Sequence, residues 1–345
     1  MSDNHKLELA MRHALTLALN GPAYGINPQV GAVILDPEGS IASEGWHLGS
    51  GTAHAEIVAL EQAREKLGIQ GKFPPGYTAV ATLEPCNHTG KTGPCSVALL
   101  EAGIDRVVYA SNDPGDKSAG GGKYLKKQGV EVIKGLLKSE ADDQARHWLV
   151  SNKLQRPFVT IKYASTLDGR GAAQDGSSQW ISGPESRADS HRRRAEVDAI
   201  LVGTGTATID DPELTARRPD GSYYDHQPLR VVVGQRELPN ELRVLNDRAE
   251  TLVLPTQSMQ EVMEELWDKG VRHLLVEGGP NVASKFVAEK LADEFLIYMA
   301  PLLLGGDKTA IRNIGVNNIS EAIDLDIKQM TTLGKDIFIR ARRSK

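Results

Sequence analysis

Apolar residues recur at helical spacing near the start of the chain. Leu7, Met11, Ala14, Leu15 and Ala18 share one face, and Ser2 or Asp3 can cap the helix they predict. Residues 30–35 form an unbroken apolar run closed by the turn Asp36-Pro37-Glu38-Gly39, as a buried strand does. An amphipathic helix is expected over 55–67, a strand over 77–83, a helix over 96–102 and a strand over 106–110. A short helix over 123–127 and a strand over 130–133 follow. Helix and strand thus alternate, which argues for a layered α/β domain.

After Leu137 the pattern changes. Residues 139–154 read as one polar helix, followed by Arg156-Pro157 and a fresh strand over 158–162. The boundary is expected within 147–155, dividing the chain into 1–147 and 148–345. The second half alternates again, with strands over 199–202, 229–233 and 251–254, a helix over 259–269, a strand over 273–276, a helix over 282–290 and a strand over 294–299. It reads as a second α/β domain with its own core. A chain of 345 residues is too long for one ordinary core in any case.

Composition removes several classes of function. The formal net charge is −5, so no global field draws the chain to nucleic acid. The basic run Arg340-Ala341-Arg342-Arg343 reads as a solvated end rather than a binding patch. No apolar stretch approaches the roughly 18 residues of a membrane helix. Lys6, Glu8, Arg12 and His13 interrupt the N-terminus, which does not resemble a signal peptide. A cytoplasmic location is the expectation, with no nucleic-acid or membrane partner. Two cysteines exclude a disulfide framework. Both lie between residues 86 and 95, where a metal or redox site is the natural reading, and their spacing is not Cys-x-x-Cys.

His54-Ala55-Glu56 opens the helix that follows a glycine-rich stretch. Pro85-Cys86 follows a strand and Pro94-Cys95 opens the next helix. The partial positive charge of helix N-termini favours thiolate over thiol, as metal ligation needs. His54, Cys86 and Cys95 would hold zinc and leave a fourth position for water, whose pKa the metal lowers. Glu56 is not needed as a ligand and is placed to move protons, the arrangement of zinc deaminases. The rival reading is a structural zinc with His88 as fourth ligand.

Asn27-Pro28-Gln29-Val30-Gly31, Gly45-Trp46-His47, His54-Ala55-Glu56 and the stretch from Pro85-Cys86-Asn87-His88 to Pro94-Cys95 stand in this order. Together they resemble the deaminase domain of the bifunctional riboflavin biosynthesis proteins, a cytidine-deaminase-like α/β/α fold. Lys91-Thr92-Gly93-Pro94-Cys95 departs from that family's usual Arg-Thr-Pro-Pro-Cys. A lysine still holds a phosphate as a point charge. The resemblance implies a phosphorylated pyrimidine substrate, with Asn27, His47, His88 and Lys91 as its contacts.

The second half carries Lys162-Tyr163-Ala164-Ser165-Thr166-Leu167-Asp168-Gly169, Ser178-Gln179-Trp180, Arg194, Thr206, Asp210-Asp211-Pro212-Glu213-Leu214-Thr215-Ala216-Arg217 and Val276-Glu277-Gly278-Gly279-Pro280-Asn281. No Gly-x-Gly-x-x-Gly follows a strand, so a Rossmann site is not expected. Backbone amides at Gly278-Gly279 suit a cofactor phosphate, although a plain strand–helix turn reads as well. In this order the motifs resemble the reductase domain of the same family, which has a dihydrofolate-reductase-like fold. The resemblance implies an NADPH site lined by Ala164, Trp180, Thr206, Asp210, Gly279, Pro280, Asn281, Val282, Ala283, Ser284 and Lys285. It implies a substrate site lined by Lys162, Ser178, Arg194, Leu214, Arg217 and Glu277. Arg194 and Arg217 would take the substrate phosphate, and Lys162 and Asp210 are the candidates for the reductive proton donor. Gly234-Gln235 replaces the Asp-Ser of many relatives.

The resulting expectation is a bifunctional enzyme. Zinc-dependent deamination of a diamino-ribosylamino-pyrimidinone phosphate would precede NADPH-dependent reduction of ribosyl to ribityl. The resemblance further implies a homo-oligomer, a dimer or tetramer. Two rivals are a deaminase of free nucleosides or tRNA with an attached binding module, and a non-catalytic zinc-stabilised binding protein.

Overall fold

A computed structural model of the chain describes residues 2–89 and 93–344. The chain divides into two compact units, Met1–Gln155 and Arg156–Lys345.

The first unit runs α1 (Asp3–Ala18), β1 (Gly31–Leu35), β2 (Ile41–Trp46), α2 (Ala55–Leu67), β3 (Thr78–Leu83), α3 (Cys95–Ala102), β4 (Arg106–Ser111), α4 (Gly121–Lys127), β5 (Glu131–Lys134), α5 (Lys138–Gln144) and α6 (Arg146–Leu154). Its sheet has the order β2-β1-β3-β4-β5, with β1 antiparallel to both neighbours and β3, β4 and β5 parallel. Both β1 and β3 are buried at every position, because helices cover both faces of the sheet. Leu7, Met11 and Leu15 of α1 and Ala141 of α5 pack with Val33, Leu35, Val80 and Val108 on one face. On the other, Ala59 and Ala63 of α2, Leu99 of α3 and Leu125 of α4 pack with Ile34, Ala79 and Val107. The result is the layered α/β/α architecture.

Three expectations need correction here. The strand β2 was not anticipated, since Ile41-Ala42-Ser43-Glu44-Gly45-Trp46 lacks a clean apolar alternation. The single helix over 139–154 is two, broken at Ala145. A division after residue 147 would cut α6, and the compact units divide after Gln155, at the far end of the expected 147–155 window.

The second unit runs β6 (Phe158–Thr166), α7 (Pro184–Arg194), β7 (Ala199–Gly203), α8 (Thr204–Asp210), β8 (Leu229–Val233), β9 (Thr251–Leu254), α9 (Met259–Asp268), β10 (His273–Val276), α10 (Pro280–Ala288), β11 (Glu294–Ala300), β12 (Leu325–Leu333) and β13 (Asp336–Arg343). Its sheet has the order β12-β13-β11-β6-β10-β7-β8-β9. The strands from β11 to β9 are parallel, and β13 is antiparallel to both β11 and β12. Met263 and Leu266 of α9 and Phe286 of α10 close one face over Ile161, Leu201 and Val231. The run Arg340-Ala341-Arg342-Arg343 is no solvated end. It belongs to β13, and buried Arg342 donates to Glu294 at 2.7 Å.

Candidate active sites

In the first unit the turns that follow core strands bring three ligands together. His54 is the residue before α2, in extended conformation. Cys95 is the first residue of α3, and Cys86 lies just beyond β3. The two sulfurs stand 3.5 and 3.2 Å from His54 Nδ1, and all three donor atoms lie within 4.8 Å of one another. A tetrahedral zinc with ordinary bond lengths sets sulfur and nitrogen ligands about 3.6 Å apart, so this donor set fits the ion. Among the described residues His88 is outside the group, which leaves the four-ligand structural-zinc reading without its fourth donor. Among the described residues His88 Nδ1 is buried without a hydrogen-bond partner.

The Cys86 loop is held closely. The Cys95 N–H points at Cys86 Sγ at 3.4 Å, and the Ser96 N–H donates to Cys86 O. Buried Glu84 accepts from the N–H groups of Asp113 and Gly122. Gly121 is required nearby, because a Cβ there would stand 1.9 Å from Pro85 O. The Cys95 thiol, hydrogen-bonded to Cys86, and then His54 pull the Cys86 thiol down to about 4. Glu56 sits in the first turn of α2, buried, beside the cluster but outside it. Burial, then the charge of Cys86, pushes its carboxyl up to about 7, near neutrality where a proton shuttle works best.

Asn27 and His47 are brought together, with Asn27 Nδ2 2.9 Å from His47 Nε2. The His47 ring meets the His54 ring edge-on at 5.2 Å. Lys91 lies outside the described residues.

In the second unit a buried charge cluster forms around Glu277. Arg194 grips its carboxylate with two donors, at 2.8 and 2.9 Å, and gives a third to Thr215 O. Lys162 Nζ stands 3.3 Å from the same carboxylate. The side chains of Arg194 and Glu277 are 13% and 6% exposed, so Arg194 is no solvated helix residue. Burial opposes the charge, but Arg194 and Lys162 overcome it and hold the Glu277 carboxyl far below its ordinary value. Arg217 reaches toward Glu213 at 3.5 Å and is a third exposed, which leaves it the freer of the two expected phosphate ligands. The Leu214 side chain is buried with Ala207 and Val244, so only its backbone, at φ +57°, is offered to a ligand. Ser178 and Trp180 lie in the loop before α7, where Arg187 covers the Trp180 ring.

The cofactor candidates collect where parallel strands end, the usual ligand side of such sheets. The Gly279 N–H donates to Thr206 Oγ1 at 3.1 Å, joining the starts of α10 and α8. A Cβ at Gly203 or Gly278 would strike Val282, at 2.8 and 2.9 Å. Gly234 has φ +135°, and a Cβ there would stand 2.6 Å from Thr204 Oγ1, which accounts for glycine in this chain. This close-packed glycine turn at the start of α10 is where the resemblance sets the phosphates of a dinucleotide, and the N–H groups of Gly279, Val282 and Ala283 are already bonded there. Pro280 and Asn281 stand at that start, while Asp210 is exposed at the end of α8. Ala164 lies mid-strand opposite Tyr298. Ala283 points into the core, Ser284 is bonded to the Arg312 N–H, and Lys285 donates to Gln257 O, so these three side chains do not line an open cradle. Ser190 and His191, next to Glu277 and Thr215 O, were not foreseen, because α7 presents no apolar stripe.

Fold and site define the class: a zinc-dependent deaminase joined to a second α/β catalytic unit. Residues 4–111 match the cytidine and deoxycytidylate deaminase zinc-binding region, and residues 157–339 match the RibD C-terminal domain. The chain is 45% identical to riboflavin biosynthesis protein RibD of Mycobacterium tuberculosis over 339 residues, 98% of this chain and 96% of that one. It is 34% identical to RibD of Escherichia coli over 367 residues, covering 96% and 98%. The structure of Acinetobacter baumannii RibD, form 1, superposes with a TM-score of 0.89 at 32% identity, covering 99% of this chain and all of that one. The chain belongs to the RibD family of bifunctional riboflavin-biosynthesis enzymes. Its first unit is the cytidine-deaminase-like, zinc-dependent deaminase, and its second is the dihydrofolate-reductase-like, NADPH-dependent reductase.

Proposed function

We propose that the first unit removes the exocyclic 2-amino group of a diamino-ribosylamino-pyrimidinone 5′-phosphate, and that the second reduces the ribosyl chain to ribityl. Ammonia leaves in the first step and NADPH is consumed in the second. The observation that carries this reading is Glu56, a buried carboxyl beside three zinc donors yet not one of them.

His54, Cys86 and Cys95 would hold the zinc, which would supply the Lewis acidity that makes a water nucleophilic at neutral pH. Glu56 takes the proton from that water and delivers protons to the ring nitrogen and the departing amine. Asn27 and His88 contact the substrate, with Lys91 on its phosphate.

NADPH, when bound, would supply the hydride for the first carbon of the opened sugar. Thr206, Gly279, Pro280, Asn281 and Val282 hold the cofactor, with Ala164, Trp180 and Asp210 at its margins. Arg217 takes the substrate phosphate. Lys162 is the better placed proton donor, since its ammonium already stands in the Glu277–Arg194 cluster. Ser178 and the Leu214 backbone complete that subsite. The enzyme works in the cytoplasm as a homo-oligomer. The edge strand β12 supports assembly, with Ile327 61% and Met330 67% exposed.

The test is to mix zinc-loaded protein with the diamino-pyrimidinone phosphate and NADPH, following ammonia and NADPH together. Matched release and consumption, both abolished by Glu56→Gln, is the expected result. Ammonia without NADPH loss removes the reductase assignment. No ammonia moves the nucleoside or tRNA deaminase reading forward.

A further inference from the structure

We infer that His47 does not touch the substrate but acts as a positioning residue, orienting the Asn27 amide so that its oxygen receives an N–H of the pyrimidine. This rests on the substrate reading above and corrects the expectation that His47 is itself a contact. The ring is 4% exposed, and both its nitrogens are committed. Nδ1 stands 3.0 Å from Ala53 O, an atom that can only accept, so Nδ1 carries the proton. Nε2 of the neutral imidazole is then an acceptor, and it faces Asn27 Nδ2 at 2.9 Å. That bond decides which way round the amide sits, and Oδ1 becomes the end left for a ligand.

The surroundings hold this arrangement in place. The Trp148 indole donates to Ile26 O, and the Gln29 amide donates to Gly21 O, so the segment before β1 is fixed on both sides of Asn27. Gly21 approaches so closely that a Cβ there would lie 2.4 Å from His47 O. A cavity of about 560 Å³, lined by Gly21, Tyr24, Leu48 and Ser50 among others, flanks both segments. His47 also packs edge-on against the ligand His54. The chain of causes thus runs from a backbone carbonyl to a tautomer, to an amide orientation, to an acceptor. An acceptor at this place discriminates for a ring edge that carries N–H, such as that of an amino-pyrimidinone.

The test uses full-length zinc-loaded protein and the diamino-pyrimidinone phosphate. Replacing His47 with Phe keeps the ring bulk against His54 and removes both bonds. KM for deamination is expected to rise about tenfold, the size of one neutral hydrogen bond, with kcat within about twofold and the zinc content unchanged. His47→Gln, whose amide can donate to Ala53 O and accept from Asn27, is expected to restore most of the affinity. Asn27→Ala should raise KM as much as His47→Phe, and the double variant should be no worse than Asn27→Ala alone. Additive losses, or loss of zinc with His47→Phe, overturn the inference, since His47 would then touch the substrate or anchor His54. Nitrogen NMR of His47 reads the tautomer without any substrate. Protonation at Nε2 alone overturns the inference, whereas failure of the wild-type enzyme on this substrate, with Nδ1 protonated, overturns only the substrate reading.

Discussion

The two sites are built by opposite means. The zinc site gathers three soft or neutral donors at turns anchored directly to core strands, and close packing sets their spacing. The Cys86 loop, for example, has room only because residue 121 is glycine. The reductase site instead balances charges, with Arg194 and Lys162 converging on one buried carboxylate of Glu277. A packed site fails when a donor is lost or the spacing between donors changes. A charge-balanced site tolerates neither partner's removal, because the survivor is left buried and unpaired. The two units therefore fail differently, and variants can separate them.

The largest expected effect is on the first unit. Cys95→Ser removes a thiolate from a three-ligand site, so zinc binding and deamination are expected to fall to background, a loss of about a thousandfold or more. Reduction of substrate that has already been deaminated should continue at the wild-type rate. Zinc content by metal analysis and NADPH consumption check the two halves separately. A matching loss of reduction would mean that the second site depends on the first.

Next comes Glu277→Gln, which leaves Arg194 buried without its counter-charge. Breaking such a pair costs about 3–5 kcal/mol. The second unit's thermal transition should drop accordingly, with zinc content unchanged. If the transition is unmoved, water reaches Arg194 and the cluster is not the internal brace the contrast requires. A smaller effect is expected in the first unit from Gly121→Ala. Its Cβ would meet Pro85 O at 1.9 Å, so the Cys86 loop must shift. Weaker zinc affinity, measured by competition with a chelator, is the expected outcome, with reduction unaffected. Unchanged affinity would show that the loop moves freely and that packing does not set the ligand spacing.

What the sequence disclosed follows the same division. The zinc donors were legible because their chemistry is scarce: one histidine and the chain's two cysteines, two at predicted helix starts and Cys86 just after a predicted strand. The helix Ala55–Leu67 and the strand Leu229–Val233 were legible because apolar periodicity reports burial. Where charges carry the packing, periodicity is silent. The helix α7 buries only Ser186 and Ser190, and its arginines turn to Asp189, Glu196, Glu277 and the Trp180 ring. Buried Arg342 in β13 was mistaken for a solvated tail for the same reason, since its partner Glu294 is far away in sequence. The strand β12 is exposed at all but its last position, so the alternation of Leu325-Asp326-Ile327-Lys328 does not report burial. The role of His47 in orienting Asn27 was also invisible, because tautomer and amide orientation arise only once Asn27, His47 and Ala53 meet in the fold.

The smallest effect sharpens the contrast through pH. His191 faces Thr215 O and the guanidinium groups of Arg194 and Arg217, and it lies on the same helix as Ser190, which donates to Glu277. Burial first, then the two arginines, pulls its pKa down to about 4 from an ordinary 6.5. Between those values the unfolded chain binds the proton more readily than the fold does, so stability rises with pH there. The contribution is fully present above about 6.5 and is lost as the pH falls toward 4. Glu277, whose carboxyl is depressed, continues the loss below its ordinary 4.5. The second unit's melting temperature should therefore fall by several degrees from pH 7 to pH 4. In His191→Gln, which keeps a donor for Thr215 O, the part of the slope between pH 4 and 6.5 should flatten while the acid limb due to Glu277 remains. An undiminished slope in that variant would assign the pH sensitivity to other groups and leave the charge-balanced description of this site resting on Glu277 alone.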